Sequence, residues 1–204
     1  MKFPFHQPTL QLLDGLSGVE LGAASHNPFG VNALNVAPEW NYDIYHENQV
    51  KQGEEPIKID LYGHAAQIPV ADRSLDFVLS SHVIEHIPDP ISAFVEWQRV
   101  IKPGGYVIAI VPQPDALVED KRPLSPYDRL VRAHRERWTP DTSPPGSIFK
   151  DHYWKFTSIT FRNFVQRLID GWEDLPQLPW QLVGVEDPDS KVGNGFWVAY
   201  RVVA

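Results

Sequence analysis

The chain contains no cysteine. Disulfide staples, thiolate metal centres and cysteine nucleophiles are therefore excluded, and the composition fits a reducing compartment. Long hydrophobic runs are missing too: no stretch approaches the length of a membrane span. The N-terminal MKFPFHQPTL has one lysine and no apolar run, so it does not read as a signal peptide. Basic charge is scarce, with 18 Lys and Arg against 26 Asp and Glu for a formal net charge of −8. That surplus favours solubility and repels polyanions, so neither a nucleic-acid nor a membrane partner is expected, and a cytoplasmic location is. Internal repeats and low-complexity tracts are also absent. What remains is 204 residues with 19 Pro, seven Trp and 12% aromatics. A chain of this size can bury roughly 70% of its unfolded surface without staples. The expectation is one domain over residues 1–204, rich in turns and large core anchors.

The hydrophobic patterning alternates between strand and helix. Residues 1–16 read as a partly ordered lead-in. Ser17–Gly22, Ala33–Ala37 and Pro56–Leu61 read as strands, the last from its period-two alternation. Leu75–Ser80 is a strong strand candidate, followed by a short segment, His82–Ile87. Asp89 and Pro90 form a helix start, cap and first turn, and Ile91, Phe94, Trp97 and Ile101 share one apolar face. Lys102–Gly105 is expected to end that helix before the apolar strand Tyr106–Val111. Pro112–Lys150 is rich in Pro and charge, with a short helix expected at Tyr127–Trp138. Thr157 caps an amphipathic helix carrying Phe161, Phe164, Val165, Leu168, Ile169 and Trp172. Gln181–Val185 and Gly195–Val203 suit a terminal hairpin. This order predicts an α/β fold, a doubly wound Rossmann-like three-layer sandwich. Its mostly parallel seven-stranded sheet ends in an antiparallel hairpin. In such sheets ligands sit outside the carboxyl ends of the strands, at the switch point.

Four pieces fall at those strand ends. They are Val19-Glu-Leu-Gly-Ala-Ala-Ser-His-Asn-Pro28, Leu34-Asn-Val-Ala37, Gly63-His-Ala-Ala-Gln-Ile-Pro-Val-Ala-Asp-Arg-Ser-Leu-Asp76, and Leu75-Asp-Phe-Val-Leu-Ser-Ser-His-Val-Ile-Glu-His-Ile-Pro-Asp-Pro90 running on to Arg99-Val-Ile-Lys-Pro-Gly-Gly105. In order and spacing they resemble class I S-adenosylmethionine-dependent methyltransferases, closest to the small type 11 group and its glycan-biosynthesis-associated members. The likeness covers residues 17–111, returns at Asp151-His-Tyr-Trp-Lys-Phe-Thr157 before the last large helix, and is weak in the final hairpin. It implies S-adenosylmethionine as cofactor, S-adenosylhomocysteine as product and a small-molecule or carbohydrate acceptor methylated at oxygen or nitrogen.

The resemblance also implies a set of cofactor-binding positions: Glu20, Gly22, Ala23, Ala24, Asn35, Val36, Ala37, His64, Ala65 and Ser81. Glu20 offers a carboxylate near the cofactor's ammonium group, and Gly22 lets the main chain approach closely. Two positions depart from the family pattern: Ala37 stands where a ribose-binding acid is usual, and His64 where an adenine-binding Asp is usual. The short stretch between the first two strands implies an abbreviated first helix. His82 and His152 are the candidate catalytic groups, as a base for a hydroxyl acceptor, whereas His86 is expected to pack and hydrogen-bond locally. Residues 113–150 read as a substrate lid. Arg129, Arg132, His134, Arg135 and Arg137 form either a solvated face or a site for an anionic acceptor. Eight scattered histidines show no ligand spacing, so no metal is expected. Two other readings fit parts of the sequence: a binding module that keeps the fold without turnover, and a nicotinamide-dependent oxidoreductase. Against the latter stands the lack of a full G-x-G-x-x-G.

Overall fold

The computed structural model describes residues 2–39, 42–51 and 53–203. In chain order the elements are α1 (Gln7–Leu12), β1 (Ser17–Leu21), β2 (Asn32–Ala37), α2 (Tyr42–Lys51), β3 (Leu61–Tyr62), β4 (Leu75–Ser81), a 3₁₀ turn (Ile84–His86), α3 (Pro90–Val100), β5 (Ile101–Pro112), α4 (Tyr127–Arg135), α5 (Ser158–Asp170), β6 (Trp180–Glu186) and β7 (Gly195–Val202). Among the described residues seven strands join one sheet in the order β3-β2-β1-β4-β5-β7-β6. The first five are parallel, and β7 runs antiparallel between β5 and β6. The order reverses between β1 and β4, which sets the switch point there. Among the described residues no helix is long and apolar enough to cross a membrane.

Burial divides along the two faces of the sheet. On one face α3 and α5 press Phe94, Trp97, Phe161, Phe164 and Leu168 onto Val78, Val107 and Val198. Asp89 caps α3, its Oδ1 accepting from the Ser92 N–H at 3.0 Å, with Pro90 in the first turn. Thr157 and Thr160 form a reciprocal capping box on α5, and Gly171 ends that helix at φ +83°. These caps satisfy the amides and carbonyls that helix ends leave unpaired.

The other face is built differently from the expectation. No helix lies between β1 and β2; residues 22–31 are a loop. The lead-in takes over its covering role. Leu13 and Phe29 pack on Phe77, Leu79, Ile108, Ile110 and Trp197. The buried Thr9 accepts from the Trp197 indole N–H at 3.0 Å, and His6 bonds Glu186 at 2.9 Å. Helix α1 is short and opens on a His cap, and α2 has almost no apolar periodicity. Neither carries the stripe that marks a core helix in sequence.

Boundaries differ from the reading above: α4 stops at Arg135, short of the expected Trp138, and two other differences have a visible cause. The predicted strand Pro56–Leu61 is mostly irregular, because the Asn35 side chain takes the Lys58 carbonyl and the Asp60 side chain takes the Asn35 N–H. Side-chain bonds replace the ladder there, leaving β3 two residues long. Helix α3 ends at Val100 and passes directly into β5 at Ile101, so Lys102–Gly105 belong to the strand and not to a turn after the helix.

Candidate active site

The parallel ladder continues one residue beyond the strands at the switch point. Gly22 N–H donates to the Val36 carbonyl at 2.9 Å, Gly63 N–H to Ala37 at 3.1 Å and His82 N–H to Ile110 at 2.9 Å. Each then turns away from the sheet, Gly22 at φ +64° and His82 at φ +53°. A non-glycine residue in that region costs on the order of 1–3 kcal/mol and is retained where the surroundings hold it. His82 is thus fixed at the carboxyl end of β4 beside the loop that follows β1; a side chain on Gly22 would meet Val83.

The predicted cofactor residues fall into two groups. Glu20, Gly22, Ala23, Ala24 and Ser81 surround the loop after β1. Glu20 is half-buried, and its carboxyl group makes no hydrogen bond among the described residues; burial pushes it up to about 8, against the pull of Lys191. Asn27 donates to Ser81 Oγ at 3.4 Å, while its own Oδ1 is buried without a partner. Asn35 is committed within the protein: its Oδ1 accepts from Ala23 N–H at 3.0 Å and its Nδ2 donates to the Lys58 carbonyl at 2.9 Å. It shapes the loop. Val36 and Ala37 are buried beneath it.

His64 and Ala65 form the second group, at the end of β3. His64 is exposed, its Nδ1 accepting from Ala66 N–H at 3.3 Å, and it lines a cleft of about 460 Å³ with Tyr62, Gln67 and Arg99. The 63–72 loop is pinned to α3. Trp97 donates its indole N–H to Ala65 O at 2.9 Å, and Arg99 donates to the Ile68 and Val70 carbonyls and to Glu96 and Asp72.

The two candidate catalytic histidines reach one neighbourhood from segments 70 residues apart in sequence. Glu85 lies at the centre, 1% exposed, with neither carboxylate oxygen bonded. His82 Nδ1 is 3.7 Å and His86 Nε2 3.8 Å from Glu85 Oε1. His152 packs edge-on against His86, ring centroids 4.7 Å apart. The Tyr153 N–H donates to the Glu85 carbonyl at 2.7 Å, which carries the 149–154 strap onto the 3₁₀ turn. Burial pushes the Glu85 carboxyl up to about 8. It also holds the His82 and His86 imidazoles below their usual range, and His152 falls to about 4 through burial and then the fields of His86 and His82. His86 does hydrogen-bond locally, to the Asp151 carbonyl at 2.8 Å.

Glu85, Asn27 and Lys191 were not singled out as site residues in the sequence. Glu85 and Asn27 lie inside quoted motifs; Lys191 sits in the distant β6–β7 loop and carried no local signal. The Arg-rich helix is engaged with the protein. Arg129 lies over Trp138 and Trp154, His134 bonds Asp89 at 3.0 Å, and Arg135 pairs with Glu173 and Asp174.

Comparison with known proteins places this arrangement. Residues 22–109 match the family described as Methyltransferase domain. The demethylmenaquinone methyltransferase of Bacillus velezensis is 38% identical over 64 residues, 31% of this chain and 28% of that protein. An uncharacterized methyltransferase of Mycobacterium bovis is 34% identical over 97 residues, 48% of this chain and 37% of that protein. The chain thus spans well under half the length of these curated relatives. Among solved structures, an S-adenosylmethionine-dependent methyltransferase of Aquifex aeolicus superposes with TM-score 0.52 at 17% identity, over 97% of this chain and 89% of that one. One from Thermotoga maritima gives 0.53 at 20%, over 97% and 87%. The fold is that of the Rossmann-like methyltransferases.

Proposed function

We propose that this chain is an S-adenosylmethionine-dependent methyltransferase acting on oxygen or nitrogen of a small-molecule or carbohydrate acceptor. The observations that carry the reading are the Glu20 carboxyl group, half-buried with no side-chain hydrogen bond at the end of β1, and the unpartnered Asn27 Oδ1 in the loop that follows, where Gly22 leaves the strand. Two acceptor groups with no partner in the protein suit a ligand that brings N–H donors and positive charge. The methyltransferase-domain match across 22–109 supports the same reading. So does the Bacillus relative, whose named acceptor, demethylmenaquinone, is a small molecule.

Glu20 and Asn27 would hold the cofactor's ammonium group, with the Gly22–Ala24 backbone along its methionine part and His64–Ala65 at its other end. When bound, the cofactor supplies a methyl group on a sulfonium, open to in-line displacement. The chain supplies alignment and excludes water. His82 and His152 stand on the acceptor side, His82 as the group that draws the proton from an acceptor hydroxyl. The segment 113–150 closes over them as a lid.

Calorimetry with S-adenosylmethionine and S-adenosylhomocysteine, with NAD as control, tests the reading. Micromolar binding of the two sulfur compounds and none of NAD is expected; binding of neither would overturn it. The pH dependence tests Glu20. Its folded carboxyl is protonated below about pH 8, and only the carboxylate attracts an ammonium group, so binding expels one proton. Affinity should rise up to about tenfold per pH unit as pH approaches 8, and stop rising above it. Calorimetry in buffers of different ionisation enthalpy should count that proton. An affinity flat from pH 6 to 8 would remove Glu20 from the site.

A further inference from the structure

We propose that Glu85, His86 and His152 form a binding site for one divalent transition-metal ion of the zinc class. One ligand atom from each residue lies within 4.8 Å of the others. Bonds of 2.0–2.2 Å to a tetrahedral ion set its ligand atoms roughly 3.4 Å apart, so movements on the order of 1 Å would close the shell.

Tautomer chemistry supports the assignment. The His86 Nδ1–H donates to the Asp151 carbonyl at 2.8 Å. Its Nε2 therefore carries a lone pair, and that lone pair faces Glu85 Oε1 at 3.8 Å. At that distance the two groups share no hydrogen bond. A backbone carbonyl fixing the outer nitrogen is the usual support of a metal-bound histidine. Glu85 gives a second, independent sign. Its side chain is 1% exposed and neither oxygen has a hydrogen-bond partner. A buried carboxyl group left without a hydrogen-bond partner is costly, and a cation is a partner that uses both oxygens.

Two imidazoles and a carboxylate are the donor set of borderline ions, and three protein ligands leave a position open. His82 Nδ1, 3.7 Å from the same Glu85 oxygen, is a fourth donor at the rim. Sequence spacing concealed the set, because His152 arrives from 66 residues beyond His86 on the strap that also brings Asp151. Use of the ion to hold an acceptor oxygen would rest on the methyltransferase reading. Binding of the ion does not.

The test uses untagged full-length protein dialysed against a chelator, titrated with Zn²⁺ by calorimetry and with Co²⁺ by its visible d–d absorption. One equivalent per chain is expected, with d–d bands of four- or five-coordinate cobalt. Affinity should fall at least about tenfold in Glu85→Gln and in His152→Ala, since even outer-shell changes cost 10–100-fold. Circular dichroism checks folding. His86 and His152 are partly exposed, so His86→Ala and His152→Ala keep the test open if Glu85→Gln does not fold. No stoichiometric binding, or binding unchanged in His86→Ala and His152→Ala, overturns the site. S-adenosylmethionine titrated into the same samples separates the two readings: metal bound without cofactor leaves this site standing and removes the methyltransferase, and the converse does the opposite.

Discussion

Trp97→Ala is expected to cost about 3–5 kcal/mol, the usual range for removing a large aromatic from a packed core. Trp97 has no exposure and lies on α3 amid Phe94, Val107 and Trp180. Its neighbours cannot collapse into the space: Phe94 already stands edge-on to Trp97, Phe161 and Trp180. The substitution also frees the Ala65 carbonyl, which accepts from the indole N–H at 2.9 Å. That bond fixes the loop carrying His64, so cofactor affinity should fall along with stability. Trp97→Phe separates the contributions, keeping most of the ring and losing the bond, for about 1–2 kcal/mol. Urea unfolding reads both. A loss under 1 kcal/mol for Trp97→Ala would show that the α3 face repacks freely.

Trp97 was legible in the sequence because it belongs to a period. With Ile91 and Phe94 it marked one face of a capped helix, and Asp89 with Pro90 marked the start. The same holds for α5, whose Thr157 cap and stripe Phe161, Phe164, Val165 and Leu168 are present, although the helix ends at Asp170 and Trp172, expected on the stripe, lies past the Gly171 cap. The central strands were legible from their apolar runs. What periodicity could not carry was cover supplied by irregular chain. The lead-in helps cover the second sheet face through His6, Thr9 and Leu13, which fall at helical spacing but of which only Leu13 is apolar, so they raise no hydrophobic stripe. Likewise the strand expected at 56–61 alternates correctly, yet side-chain bonds from Asn35 and Asp60 hold it out of the ladder. For the candidate site, the strand-end motifs singled out Glu20, Gly22 and His82, which lie at the carboxyl ends of β1 and β4. They did not reveal that Asn35 is consumed internally, nor that Glu85 gathers histidines from two distant segments. Those are properties of tertiary juxtaposition, which local spacing does not record.

Lys191 is the sharpest case of that kind, and Lys191→Met should destabilise the protein by about 2–4 kcal/mol. Its ammonium group, 3% exposed as a residue, donates to the Pro4 carbonyl at 2.9 Å and the Pro28 carbonyl at 2.6 Å, over the face of Phe29 at 4.3 Å. One side chain from the β6–β7 loop thereby ties the lead-in to the loop after β1. Charge-assisted hydrogen bonds of this sort contribute about 1.5–3 kcal/mol each. The burial that draws the Lys191 ammonium down to about 8 offsets part of that. Methionine keeps the stem and leaves both carbonyls unpaired. The functional effect runs through the same contacts. Asn27 immediately precedes Pro28, so losing the tie loosens the Asn27 side of the loop while Glu20 stays on its strand. Lys191 also lowers the Glu20 carboxyl through its field; without it, that carboxyl moves further up and the pH at which cofactor affinity levels off should shift upward with it. Thermal unfolding and calorimetry across pH 6–9 measure the two effects. Lost stability with an unmoved pH profile would mean that Lys191 only fastens the loop, and that the charge at Glu20 is set by burial alone.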